Sequence, residues 1–262
     1  MSPVVACAVA AALCGGSIAR SATEPSTGTT ATTSPGPGGD GGRVSRSLDQ
    51  PLNLAIARQN VRKYYGDTVG ADGRHRASPD SAWGRSVRAS VADGKRYLKS
   101  RLGKVDAPVL VLDVDDTSFQ EYDWQANREF AFEQRAFHEA VRRQELPVIE
   151  PTRDLAVWAA RRGVQVYFMT GREASLREAT LKALNDSGFP APDGIYFKPP
   201  KDDPPPYLDC AAECTMKEFK SGTRAHLTAR GKDIVLNVGD HQVSDLEGGN
   251  AERSALLPNP MY

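Results

Sequence analysis

The sequence carries no net charge and contains no long apolar stretch. Its 262 residues include 33 Lys and Arg and 33 Asp and Glu. The excess of positive charge that nucleic-acid-binding domains usually have is missing, so we expect no nucleic-acid partner. The longest apolar run covers only residues 4–18, whereas a membrane-spanning helix needs about 20 such residues. We therefore expect no membrane span once this segment has been removed.

Cysteine is also scarce, with four residues in the whole chain. Two lie in the N-terminal apolar run, and the other two are Cys210 and Cys214. A zinc site needs about four ligands, and neither His226 nor His241 has a finger-like spacing from this pair. We expect a small disulfide loop between Cys210 and Cys214, with free thiols as the first alternative and a metal site as the second.

The N-terminal apolar run resembles the core of a signal peptide. We expect residues 1–22 to be a cleaved leader, because small residues follow the run where cleavage would occur. The absence of Lys or Arg before the run counts against this interpretation. Lipidation of Cys7 or Cys14 is the alternative, although the residues before Cys14 fit a lipoprotein pattern poorly. The expected location is secreted or in the cell envelope.

Two regions follow the leader. Residues 23–47 are dominated by Ser, Thr, Gly and Pro, and this composition predicts a flexible, disordered tether. Apolar residues at helical spacing begin soon afterwards, so we expect a folded domain at residues 48–262 with N-terminal helices within residues 48–104.

Three short runs rich in β-branched residues predict buried strands at residues 107–113, 164–170 and 233–238. Three helical segments are expected among and after them: residues 151–162, 173–187 and 216–230. Strands that alternate with helices predict an α/β fold with a doubly wound parallel sheet, whose ligands bind at the carboxyl ends of the strands. All three predicted strands end in polar residues at that edge.

Residues 118–150 are rich in aromatic and charged side chains. They fall between the first two predicted strands and are too long for a plain crossover. We therefore expect them to form a helical cap inserted over the site.

Four motifs follow the predicted strands in order. They are Asp113-Val114-Asp115-Asp116-Thr117, Met169-Thr170-Gly171-Arg172, the lysine of Phe219-Lys220-Ser221-Gly222-Thr223-Arg224, and Gly239-Asp240 with Asp245-Leu246. Together they resemble the haloacid dehalogenase superfamily, and within it the acid phosphatase branch that includes class B-like bacterial enzymes and plant vegetative storage proteins. The closing Leu257-Pro258-Asn259-Pro260-Met261-Tyr262 resembles the tail of bacterial members.

The resemblance implies a role for each acid of the first motif. Asp113 is the expected nucleophile, which forms an aspartyl-phosphate and divides one difficult displacement into two easier ones. Asp115 is the expected general acid and then general base, and its backbone carbonyl is expected to face a metal ion. Asp116 and Thr117 are expected to hold the loop in place.

The remaining motifs imply groups that bind phosphate and metal. Thr170, Gly171 and Arg172 are expected to hold phosphate oxygens, and Lys220 is expected to neutralise both the phosphate and Asp113, with Lys217 as the alternative lysine. The expected metal is Mg²⁺, because hard oxygen ligands and a phosphate favour it. Its expected ligands are Asp113, Asp115, Asp240 and Asp245.

A calcium loop that begins at Asp113 would need Gly at its sixth position and Glu at its twelfth, but the chain has Ser118 and Trp124 there, so this alternative is rejected.

The acid phosphatase branch usually places the two acids of the last motif one residue closer than Asp240 and Asp245. The role of Asp245 is therefore open between direct metal ligand and support for the ligands.

The sequence thus predicts an exported, magnesium-dependent acid phosphatase that hydrolyses small-molecule phosphomonoesters. One alternative is a non-catalytic storage or binding protein on the same fold, but the retained Asp113 argues against it. Another is a phosphotransferase that delivers the phosphoryl group to an acceptor hydroxyl.

Overall fold

The fold is taken from a computed structural model of the chain, and the structure describes residues 52–262. The expected leader and tether, residues 1–22 and 23–47, lie outside the described residues. Within residues 52–262, no helix combines the length and the apolar character needed to cross a membrane.

Strands and helices alternate along most of the chain. The strands are β1 (Thr68–Val69), β2 (His75–Arg76), β3 (Pro108–Leu112), β4 (Gln165–Glu173), β5 (Gly194–Lys198), β6 (Asp233–Gly239) and β7 (Arg253–Leu256). The α-helices are α1 (Leu54–Tyr65), α2 (Ala82–Arg101), α3 (Tyr122–Ala126), α4 (Gln134–Arg142), α5 (Glu150–Ala160), α6 (Arg177–Asp186) and α7 (Met216–Ala229).

Five strands form one parallel sheet in the order β5-β4-β3-β6-β7. Strand β3 lies at its centre, with β4 on one side and β6 on the other. The predicted α/β fold with a doubly wound parallel sheet is confirmed. Because the strands are parallel, the residues that follow β3, β4 and β6 all emerge at the same edge.

Both faces of the sheet are covered, as a parallel sheet requires. Leu110 and Leu112 of β3 point into the larger core cluster with side chains from α2 and α5. Val109 and Val111 point the other way and pack with Leu227 of α7. Each of these buried side chains stabilises the fold by about 2 kcal/mol, so the central strand that leads to the site is held firmly from both sides.

An aromatic stack joins the N-terminal helices to the segment after β3. The Tyr65 ring stacks on Trp83 at 5.0 Å and on Tyr122 at 4.1 Å, measured between ring centroids. The indole N–H of Trp83 donates a hydrogen bond of 3.1 Å to the Pro258 carbonyl. Helices α1 and α2 therefore support both the chain after β3 and the end of the described chain.

The structure contains elements that the sequence analysis did not predict. Strands β5 and β7 lie at the two edges of the sheet, where a strand is short and only partly buried, so their apolar pattern is weak. The helix predicted at residues 173–187 begins later, at Arg177, because β4 runs to Glu173 and a 3₁₀ turn follows at Ala174–Leu176. Residues 118–150 contain the two short helices α3 and α4.

Candidate active site

The loop after β3 turns sharply at the centre of the sheet edge. Asp113 is 7% exposed, and its N–H donates to the Val238 carbonyl at 3.0 Å. The Ser118 hydroxyl donates back to the Asp113 carbonyl at 2.7 Å. Asp116 has a φ of +48°, a left-handed conformation that Asp tolerates better than most residues. These bonds close the loop, so the acids of the first motif point in different directions.

Lys220 lies between two of the candidate acids. Its ammonium nitrogen is 2.6 Å from Asp113 Oδ1 and 2.7 Å from Asp245 Oδ1. All three side chains are less than a tenth exposed. We call Asp113, Lys220 and Asp245 the lysine cluster. Lys217, the alternative lysine, instead pairs with Glu247 at 2.7 Å on the surface.

The Asp245 carboxylate accepts hydrogen bonds from four donors of the protein. Oδ1 accepts from Lys220 and from the Ser244 hydroxyl at 2.7 Å, and Oδ2 accepts from the backbone N–H groups of Asp240 at 3.2 Å and His241 at 3.0 Å. A carboxylate has about four lone-pair positions, so these four donors fill them. In this arrangement Asp245 supports the site, and Asp113 and Asp240 retain free positions.

The additional residue between Asp240 and Asp245 is taken up by a single π-helical turn at Gln242–Leu246. The N–H of Glu247 donates to the Gln242 carbonyl at 3.2 Å, five residues back. Such a turn holds one residue more than an α-helical turn. The longer spacing therefore still brings the Asp245 carboxylate to Lys220.

Arg172 binds the side chain of Asp115. Its Nε lies 3.0 Å from Asp115 Oδ1 and its Nη2 lies 2.6 Å from the same oxygen, while Nη1 donates to the Thr180 hydroxyl at 2.9 Å. The guanidinium is 2% exposed, and Asp115 is 18% exposed. The resemblance implies that Arg172 holds phosphate, but its donors face Asp115 and Thr180 because the side chain is enclosed by α6 and the segment after β3.

Thr170 and Gly171 lie in β4 near its carboxyl end, beside this pair. The Thr170 hydroxyl is 3.4 Å from Asp115 Oδ2 and accepts from the Arg172 N–H at 3.1 Å. Thr170 is fully buried, whereas Gly171 is exposed and lines the cleft above Asp113. Of the three residues expected at the phosphate, Gly171 is thus the one whose backbone is open to a ligand.

A second cluster adjoins the first, because the Asp240 N–H donates to Asp245, and uncharged donors hold its acids. Asp240 accepts from the Thr117 hydroxyl at 3.1 Å and from the Asn259 amide at 2.9 Å. Asp116 accepts from the same amide at 3.2 Å and from the Tyr262 hydroxyl at 2.8 Å. We call Asp116, Asp240, Thr117, Asn259 and Tyr262 the neutral-donor cluster.

The two clusters affect their carboxyl groups differently. Burial, followed by the charges of neighbouring acids, raises the pKa of Asp240 to about 7. Burial also raises the pKa of Asp116 to about 7 despite its hydrogen bonds. In the lysine cluster burial opposes ionisation as well, but Lys220 and the other donors outweigh it and lower the pKa of Asp245. The neutral-donor cluster is therefore short of positive charge.

The pKa of Asp113 is affected both by burial, as in the neutral-donor cluster, and by Lys220, as in the lysine cluster. Burial raises its pKa well above the usual value, Lys220 opposes this rise, and the acids around it add to the rise. Burial by itself would lower the pKa of Lys220, but Asp113 and Asp245 reverse this effect and raise it. The ammonium is therefore charged throughout the range in which proteins function.

The residues present fit a hard divalent cation. Carboxylate oxygens of Asp113, Asp240 and Asp245 lie within 4.8 Å of one another, and all three residues are buried. Repulsion from neighbouring acids adds to the effect of burial on the pKa values of Asp113, Asp116 and Asp240, so an additional cation would offset that repulsion. Oxygen ligands of this kind suit Mg²⁺ or Mn²⁺ better than softer metals.

An open cleft of about 520 Å³ leads to Asp113 and Lys220. Three phenylalanines of the segment between β3 and α5 form part of its wall: Phe130, Phe132 and Phe137. Met261 and Tyr262 line it from the end of the described chain. The cleft therefore joins a charged floor to a largely apolar wall.

Sequence reasoning missed several residues that shape the site. Asn259 and Tyr262 belong to a tail that was noticed only as a resemblance. Arg224 is 1% exposed and donates to the carbonyls of Asp245, Glu247 and Gly249, so it holds the π-helical turn in place. A long basic residue on the apolar face of α7 was the one signal that pointed to it.

Cys210 and Cys214 are joined by a disulfide in the structure, with their sulfurs 2.07 Å apart. They lie in the segment before α7 and are not among the residues that line the cleft. His241, which the sequence analysis did not assign to the site, accepts from the Ser244 N–H at 3.3 Å as part of the π-helical turn.

The fold and the site together define an α/β protein of the haloacid dehalogenase type. The pattern of the whole folded region agrees, because the model of subfamily IIIB of that superfamily, the acid phosphatases, matches residues 51–262. The chain belongs to this family.

Comparison with individual proteins gives more distant likenesses. The chain is 29% identical over 171 residues to acid phosphatase 1 of Solanum lycopersicum, and the match spans 63% of each protein. Two structures of the class C acid phosphatase of Bacillus anthracis, the second with tungstate bound, are 19% and 17% identical, with TM-scores of 0.57 and 0.58. They cover 80% of this chain, and the chain covers 84% and 87% of theirs. At this identity the structural likeness concerns the fold alone.

Proposed function

We propose that this chain is a magnesium-dependent acid phosphatase that hydrolyses small phosphomonoesters through an aspartyl-phosphate on Asp113. The observation that carries the proposal is the position of the Asp113 carboxylate at the end of the central strand. It lies 2.6 Å from the Lys220 ammonium and faces an open cleft. An acid that was only structural would not need both a buried cation and access to solvent.

In the first step, an oxygen of Asp113 attacks the phosphorus of the ester. A bond forms between that oxygen and phosphorus, and the bond from phosphorus to the alcohol oxygen breaks. Asp115 in its acid form gives a proton to the departing alcohol oxygen. Its placement supports this role, because Arg172 and Thr170 hold its side chain from one side and leave it 18% exposed.

In the second step, Asp115 takes a proton from water as the water oxygen attacks phosphorus. The bond between phosphorus and Asp113 breaks, inorganic phosphate leaves, and both carboxyl groups return to their starting forms. The same residue therefore acts first as acid and then as base, and no further reactant is needed.

Phosphate oxygens need fixed positive groups and N–H donors, since an anionic nucleophile approaches an anionic ester. Lys220 supplies the buried positive charge. The Gly171 backbone lies at the cleft and can supply an N–H, with the Thr170 hydroxyl behind it. In this assignment Arg172 acts on Asp115 and not on the phosphate.

Mg²⁺ would be held by Asp113, Asp240 and the backbone carbonyl of Asp115, with Asp245 in support. When bound, it supplies positive charge against the phosphate oxygens. The proposal of a divalent cation is supported by the close approach of three buried carboxylates.

We place the enzyme outside the cytoplasm, secreted or in the cell envelope. The apolar residues 4–18 are typical of an export signal. The Cys210–Cys214 disulfide supports the same conclusion, because disulfides persist in oxidising compartments.

The test is a phosphatase assay of the purified chain with an aryl phosphomonoester, in Mg²⁺ and in excess chelator. We expect Asp113→Asn to lower kcat by on the order of 10⁴-fold or more, because the nucleophile is lost. Asp106→Asn changes an exposed acid shortly before β3 and is the matched control. Full activity in Asp113→Asn would contradict the assignment of Asp113 as the nucleophile. Full activity of the unmodified chain in chelator would contradict the requirement for a metal ion.

A further inference from the structure

The last residues of the described chain, 257–262, return to the active site after β7. Their backbone is fixed from two directions. The Leu257 N–H donates to the Gly239 carbonyl at 2.8 Å, next to Asp240, and the Trp83 indole N–H donates to the Pro258 carbonyl at 3.1 Å. The side chain that follows, Asn259, is thereby brought to the neutral-donor cluster.

The hydrogen-bond partners of the Asn259 side chain fix which end of its amide faces the two acids. Its Oδ1 accepts from the Met261 N–H at 3.0 Å. Its Nδ2 donates to Asp240 Oδ2 at 2.9 Å and to Asp116 Oδ2 at 3.2 Å. Carboxylates only accept hydrogen bonds when ionised, so the amide nitrogen must face the two acids. Asn259 therefore bridges a candidate metal ligand and the acid beside it.

A neutral donor differs from a cation at this position. An Arg or Lys would neutralise Asp240 and would compete with a metal ion for it, as Lys220 neutralises Asp245. An amide fixes the direction of the carboxylate and leaves its charge available. Asp240 accepts one bond on each oxygen, from Thr117 and from Asn259, so each oxygen keeps a position for a further ligand.

We propose that Asn259 is a positioning residue for the divalent-cation site, which orients Asp240 toward the ion from a distant part of the chain. Tyr262 contributes one step further away, because its hydroxyl donates to Asp116 at 2.8 Å and fixes the acid that shares the Asn259 amide. This inference rests on the proposed function, since it requires a cation at Asp240. Groups that orient metal ligands typically change metal affinity 10- to 100-fold when they are removed.

The experiment measures Mn²⁺ binding directly, through the electron paramagnetic resonance signal of free Mn²⁺ titrated with the purified full chain and no phosphate ester. We expect Asn259→Ala to raise the Kd for Mn²⁺ roughly 10- to 100-fold. Asn259→Ser keeps a small hydroxyl donor and is expected to show a smaller rise. Asn185→Ala removes an exposed amide on α6 and is expected to bind Mn²⁺ as the unmodified chain does.

A kinetic measurement separates positioning from general damage. In Asn259→Ala the concentration of Mg²⁺ that gives half-maximal activity should rise by the same factor as the Kd, whereas KM for the ester at saturating Mg²⁺ should change less than about twofold, in keeping with a role at the metal alone. Thermal unfolding shows whether each variant is folded, and the serine variant decides the question if the alanine variant is not.

The outcomes are distinct. An unchanged Mn²⁺ Kd in folded Asn259→Ala and Asn259→Ser would overturn the inference and leave the proposed function standing. A raised Kd in a chain that hydrolyses no phosphomonoester would support the inference and overturn the proposed function. An unmodified chain that binds no Mn²⁺ would overturn both.

Discussion

The lysine cluster and the neutral-donor cluster are neighbours in the site, and both contain buried carboxylates. In the first, an ammonium group binds Asp113 and Asp245 directly. In the second, the donors that the described residues offer to Asp116 and Asp240 are hydroxyl, side-chain amide and backbone N–H groups. Among residues 52–262, a permanent positive charge thus contacts the acids of the lysine cluster and none contacts those of the neutral-donor cluster. This difference indicates where an exchangeable cation belongs.

The largest effect is expected when the permanent positive charge of the lysine cluster, carried by Lys220, is removed. Lys220→Met leaves Asp113 and Asp245 buried without their cation, and breaking a buried pair costs about 3–5 kcal/mol in the free energy of unfolding. Denaturant unfolding at neutral pH measures the loss. Lys217→Met is the matched control: its pair with Glu247 is about half exposed, so we expect a change of about 0–1 kcal/mol. Equal losses in the two variants would contradict the account.

A second prediction concerns the arginine that the sequence analysis assigned to phosphate. Arg172→Lys keeps the charge but loses the planar guanidinium group, whose Nε and Nη2 both donate to Asp115. We expect kcat to fall roughly 10- to 100-fold, because a displaced general acid and base loses part of its contribution, while KM for the ester stays nearly constant. Arg135→Lys, in a side chain 86% exposed, is the control. A rise in KM with little change in kcat would instead mean that Arg172 binds the phosphate.

A third prediction sharpens the comparison through pH. Burial raises the pKa of Asp116 and Asp240 from 3.8 to about 7. Between these two values the folded chain holds more protons than the unfolded chain, so its stability should fall as pH rises from about 4 to about 7. The lowered pKa of Asp245 has the opposite sign, but that contribution is already complete above about pH 4.

A bound divalent cation should offset this loss where the carboxyl groups are ionised. At saturating Mg²⁺ we expect Tm to rise by roughly 5 °C at pH 8 and by clearly less at pH 5. Differential scanning calorimetry in Mg²⁺ and in chelator measures both. An equal rise at the two pH values would mean that the ion binds elsewhere.

The parts of the site that could be predicted are those that follow strands. Asp113 comes directly after a strong β-branched run, and the carboxyl ends of parallel strands meet at one edge of the sheet. The position of Asp113 near Thr170 and Asp240 therefore follows from local pattern and topology. The same reasoning yielded the three inner strands of the sheet but not the edge strands, whose partial burial leaves a weak pattern.

The parts that could not be predicted depend on side-chain direction over long separations. Asn259 and Tyr262 reach Asp116 across 143 and 146 positions, and no periodicity records such a contact. Arg172 was assigned by its place in a motif, but the packing of Thr180 and Asp115 around it decides where its guanidinium points. The π-helical turn that accommodates the spacing of Asp240 and Asp245 is likewise a tertiary feature.

The central claim is that Asp113 becomes phosphorylated during turnover. The direct measurement is a rapid acid quench of the chain mixed with a phosphomonoester, followed by peptide mass spectrometry of the trapped protein. The account predicts a phosphoryl group on the peptide that contains Asp113, formed as fast as alcohol is released and absent in Asp113→Asn. Turnover with no phosphoryl group on that peptide, or with the group on another residue, would contradict it.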